Sequence, residues 1–76
     1  MITRYRAHVY RDGPWCMIAI PELHGLTQAR RPTRAAAEAR SYIAACIQAP
    51  IKDIAVDISE IDGPPGDILP SGKGGQ

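Results

Sequence analysis

The chain has 76 residues, a formal net charge of +1 and 45% hydrophobic residues, with no Phe, one Trp and three Tyr. That length makes one small domain, which buries only about 60% of its unfolded surface; the charge balance excludes a strongly basic nucleic-acid binder, and no apolar run reaches the ~20 residues of a spanning helix. Core-forming side chains are sparse, so self-association into a homodimer or larger homo-oligomer is expected to support the fold.

Residues 2–10 alternate as a strand does, with Tyr5, Ala7 and Val9 on one side and Arg4, Arg6, His8 and Tyr10 on the other. Arg11, Asp12, Gly13 and Pro14 then form a turn, and residues 15–20 give a second strand. So short a connection makes the pair an antiparallel hairpin. In the second strand Cys16, Ile18 and Ile20 form the aliphatic face, opposite Trp15, Met17 and Ala19. Residues 21–25 break the alternation as a loop, and residues 26–30 are expected as a third strand.

The segment 33–49, TRAAAEARSYIAACIQA, carries the helical period. Ala35, Ala36, Ala39, Tyr42, Ile43, Cys46 and Ile47 share one side; Arg34, Glu38, Ser41 and Gln48 share the other. Thr33 is placed to cap the start and Pro50 to stop the end. Ile54, Val56 and Ile58 then alternate with Ala55, Asp57 and Ser59 in a fourth strand. A right-handed crossover through the helix brings this strand back beside the first and parallel to it. The expected fold is α+β, β-β-β-α-β, with sheet order 3-2-1-4 and the helix on one face. Residues 60–76 contain three Pro and five Gly, a composition expected of a flexible tail in which Ile68-Leu69-Pro70 is the one docking candidate.

One helix covers one face of such a sheet, leaving Arg4, Arg6, His8, Tyr10, Trp15, Met17, Ala19, Ala55 and Asp57 on the other. Exposed Trp and Met on a sheet mark a contact surface for another protein or a second copy. The same mixture of cations and aromatics also suits single-stranded nucleic acid, and a solvated face with arginine stems over the rings is the plain alternative. Catalysis finds little support. His8 and His24 stand outside ligand-like spacing with Cys16 and Cys46, both cysteines are expected as small core residues, and no phosphate-cradling glycine loop is present. The expectation is therefore no enzyme, no metal and no cofactor. The first 20 residues carry charges throughout, unlike a secretory leader, so a cytoplasmic location with reduced thiols is expected.

The hairpin with Asp12-Gly13-Pro14-Trp15 at its turn, the segment Pro21-Glu22-Leu23 with Gly25, the following Thr27-Gln28-Ala29, the helix and the strand IAVDIS together resemble the HicB family of bacterial antitoxins, in its short single-domain form. The resemblance spans residues 3–59; His24 stands where the family often has Pro and Ala29 where it often has Gly. It implies a HicB-like domain over residues 1–59 with a partial ribonuclease-H-like fold lacking catalytic carboxylates. It also implies binding and occlusion of HicA, a small toxin that cleaves messenger RNA. Glu22, Glu38, Asp53 and Asp57 are the acidic residues available to meet such a basic partner. Residues 60–76 are too short and too rich in Gly and Pro for the DNA-binding module that many family members carry.

Overall fold

The computed structural model describes residues 1–64. Strands β1 (Thr3–Asp12), β2 (Trp15–Ile20), β3 (Gly25–Ala29) and β4 (Ile54–Glu60) form one four-stranded sheet in the order β3-β2-β1-β4, and the helix α1 (Ala35–Ile47), the one α-helix among the described residues, lies on one face. The first three strands are antiparallel neighbours, and β4 runs parallel to β1 with Thr3 beside Ile54 and Val9 beside Glu60. Architecture and strand order are those expected from the alternation and the crossover rule.

The hairpin is tighter than the composition of Arg11–Pro14 suggests. Arg11 pairs with Cys16 and Asp12 with Trp15, leaving Gly13 and Pro14 alone in the turn. Gly13 has φ +61°, which the proline ring cannot match at the next position, so the turn has the II′ form that suits strand twist. The 21–25 loop contains a 3₁₀ turn, Pro21–Leu23, ended by His24 in the left-handed region at φ 50°.

The helix is shorter than its periodic segment. Pro32–Arg34 forms a 3₁₀ turn, closed by the Arg34 amide on the Arg31 carbonyl at 3.0 Å, and Thr33 makes no capping hydrogen bond. At the other end Gln48 adopts φ 56° and the Ala49 amide reaches back to the Ala44 carbonyl at 3.0 Å. This is a Schellman-type stop, which ends the helix before Pro50 has any say.

The core lies between α1 and the sheet. Ile18, Ile20 and Ile43 are fully buried, surrounded by Ala7, Val9, Cys16, Ala29, Ala35, Ala39 and Ile54. The buried stripe of the helix is Ala35, Ala39 and Ile43, with Tyr42 half-buried beside it; Ala36, Cys46 and Ile47, expected on the inner face, are exposed. A stripe at every fourth residue is narrower than the apolar arc drawn from sequence, and the helix overhangs the small sheet at its C-terminal end. Cys46 is therefore a surface thiol, Cys16 alone is a core residue, and both are free. Ile58 is also uncovered, at 41% exposure, because β4 continues past the helix. Glu60 belongs to β4 and the Ile61 amide donates to the Val9 carbonyl at 2.9 Å, so the sheet extends into the segment assigned to the tail. Residues 65–76, with Ile68-Leu69-Pro70, lie outside the described residues.

Candidate interaction surface

The sheet face away from α1 is built by strand register. One row across it runs Leu26, Ala19, His8, Ser59; the next runs Gln28, Met17, Tyr10. Toward one end come Arg6 with Asp57 and Arg4 with Ala55, and toward the other Asp12 with Trp15. All nine expected face residues, Arg4, Arg6, His8, Tyr10, Trp15, Met17, Ala19, Ala55 and Asp57, stand on this side. Leu26 and Gln28 join them, as period-2 alternation along β3 dictates, although the sequence reading did not single them out.

Burial divides these residues. Tyr10 is only 6% exposed, contrary to its expected role as an open aromatic, because it sits in the middle of the face between Met17 and the end of β4. Burial, and then the nearby Asp12 charge, raises its phenol pKa above the usual value. His8 is half-buried, and its Nδ1 is enclosed without a hydrogen-bond partner among the described residues. Trp15 and Met17 are half-exposed, and Leu26 is 36% exposed. The Arg30 guanidinium lies over the Trp15 ring at 5.0 Å from its centroid, a cation–π contact the sequence reading missed.

The rim is charged and internally paired. Arg4 Nη1 donates to Asp57 Oδ1 at 2.6 Å, and Arg6 Nε to Glu22 Oε2 at 3.2 Å. The Glu22 carboxylate also accepts the Arg6 backbone amide at 3.3 Å, standing in for a strand partner just where β2 has ended. Burial opposes ionisation of Glu22, but its own amide together with the Arg6 side chain and amide outweighs this and lowers its pKa below the ordinary value. The other two expected acids are elsewhere. Glu38 pairs with Arg34 on the outer side of the helix at 3.8 Å, and Asp53 faces the N-terminal ammonium at 3.8 Å. Of the four acids, then, Glu22 and Asp57 belong to the face and Glu38 and Asp53 do not. All of these pairs are solvent-exposed and hold their partners weakly, at roughly 0–1 kcal/mol each.

The arrangement suits contact with a broad surface. Open hollows at the hairpin end measure about 240 Å³ between Tyr10, Pro32 and Ile61 and about 460 Å³ between Pro14, Trp15, Arg30 and Arg31; the first is smaller than the roughly 300–1,000 Å³ of small-molecule sites, and the second, within that range, is lined by two arginines and one aromatic ring where such sites are mostly apolar. Among the described residues, no three His, Cys, Asp or Glu side chains converge as a metal-holding group, and no helix is long and apolar enough to cross a membrane. No protein-family model, curated protein or solved structure matches the chain.

Proposed function

We propose that the chain is a non-enzymatic protein-binding domain of the HicB antitoxin type, with a partial ribonuclease-H-like fold, acting in the cytoplasm. In this reading it neutralises a small, basic, RNA-cleaving partner by covering it. The observation that carries this is the make-up of the sheet face: an apolar centre of Met17, Leu26 and Trp15 inside a rim of exposed ion pairs. Protein interfaces have that anatomy, with a dry centre and a polar rim. Glu22 and Asp57 remain exposed enough to exchange Arg6 and Arg4 for cations of a partner. The segment Pro21-Glu22-Leu23 with Gly25, on which the resemblance rests, lies beside this face through the contacts of Glu22.

A nucleic-acid partner receives less support from the geometry. Tyr10 is buried and Arg30 lies over one face of the Trp15 ring, so half-exposed Trp15 is the one of the two aromatics with surface left to stack a base.

The test is a pull-down of the tagged chain from its host, with the bound material divided for mass spectrometry and nucleic-acid analysis. Recovery of a small basic protein, lost by at least about tenfold on Met17→Asp, is the expected result. Recovery of RNA or DNA alone, or of no small basic protein, would overturn the reading.

A further inference from the structure

Among the described residues, the sheet ends on one side at β4, which is hydrogen-bonded only to β1. The Ile61 amide donates to the Val9 carbonyl, so odd-numbered residues of β4 turn their backbone groups toward β1 and even-numbered ones turn theirs outward. The first outward residue, Ile54, is already engaged. Its amide donates to the Ile51 carbonyl, and its own carbonyl accepts Arg40 Nε at 2.9 Å while Arg40 Nη2 donates to the Ile51 carbonyl at 3.0 Å. Val56, Ile58 and Glu60 have no such partners among the described residues, and Ile58 stands exposed at the middle of this free stretch.

We propose that two copies of the chain meet here, β4 pairing antiparallel with β4 of the second copy about a two-fold axis at Ile58. Facing residues must share a sheet face, so the axis falls on a residue; an axis at Ser59 leaves the free groups of Val56 opposite Asp62, past the end of β4, and one at Glu60 sets two like charges opposite each other, so three positions remain along the strand. An axis at Val56 requires backbone groups of Ile54 that Arg40 and Ile51 have taken. An axis at Asp57 sets two like charges directly opposite each other, which is destabilising. An axis at Ile58 uses every free amide and carbonyl of Val56, Ile58 and Glu60, covers the exposed Ile58 with its own copy, and sets Asp57 opposite a serine.

Charge supports the same register. Glu60 has no cationic partner among the described residues, and Arg40 bonds only to carbonyls. With the axis at Ile58, Glu60 of the second copy lies opposite Val56 on the helix side, next to the Ile54 carbonyl that holds Arg40. The pairing doubles the four-stranded sheet without using the face assigned above to a foreign partner, so the two proposals stand or fall separately.

The test is sedimentation equilibrium of the full chain and its variants. The wild type is expected at twice 8.2 kDa. Because the Ile58 amide faces away from β1, Ile58→Pro removes a donor between copies and none within the sheet. This variant, or Ile58→Lys if proline distorts the strand, should be monomeric with an unchanged circular dichroism spectrum. In a Cys46→Ser background, Ile58→Cys should form an intermolecular disulfide under mild oxidation, since facing Cα atoms in a hydrogen-bonded pair lie about 5.5 Å apart; Val56→Cys should not. A monomeric wild type, a dimer that survives both Ile58 substitutions, or cross-linking through Val56→Cys in place of Ile58→Cys would each overturn the proposal.

Discussion

Gln48 holds a left-handed backbone, φ 56°, at the end of α1, where glycine is the usual residue because it has no Cβ to crowd the following carbonyl. Gln48→Gly is expected to stabilise the chain by about 1 kcal/mol, read as a higher urea midpoint at an unchanged slope. Gly25 is constrained by space, not by φ: a Cβ there would lie 2.5 Å from the Tyr42 hydroxyl oxygen, within the ring's own volume. The same crowding appears in the Tyr42 phenol, whose pKa is raised first by burial and then by Cys46, with the Leu26 backbone acting the other way. Gly25→Ala should therefore cost about 1–3 kcal/mol, and shortening Tyr42 to Leu in the same chain should recover part of that loss in thermal unfolding. The two thiols provide a simpler check on burial. A thiol reagent should label Cys46 rapidly in the native protein and reach Cys16 only on unfolding.

Among the elements, β1 carries the most: it joins the antiparallel strands to the parallel β4, and where β2 stops, the Glu22 carboxylate continues the support at the Arg6 amide. Since the folded state lowers the Glu22 pKa, it binds fewer protons than the unfolded chain in mild acid. The stability this provides is complete above the ordinary glutamate pKa and is lost as pH falls through the lower, folded value. Glu22→Gln should flatten that acid limb in pH-dependent urea titrations while leaving the shape near neutrality unchanged. Alternation made the strands legible in sequence, and the helical connection from β3 to β4 pointed to a parallel return beside β1. The ends of α1 were less legible, because Pro32 and Gln48 set them through local backbone geometry that Thr33 and Pro50 only suggest. Face membership was read correctly for Arg4, Arg6, His8, Tyr10, Trp15 and Met17. Exposure was misjudged at Tyr10, Ala36, Cys46 and Ile47, because it depends on what a neighbouring element covers, and periodicity within one segment carries no record of that.

At the scale of the whole molecule, the contacts divide sharply by the length of chain between them. The hairpin closes through a two-residue turn, whereas Arg4 and Asp57, which join β1 to β4, are 53 residues apart in sequence. The entropy of closing so long a loop falls due before any parallel contact can repay it, so β4 is expected to add to a hairpin and helix that have already found each other. In a chevron analysis at concentrations low enough to keep the chain monomeric, Ile18→Val should mainly slow folding and Ile54→Val should mainly speed unfolding. The parallel strand thus acts as a late latch: for an interval after collapse the chain has its hairpin but not its outer border, and the lifetime of that interval sets how long β1 is left open to pairing with the wrong strand.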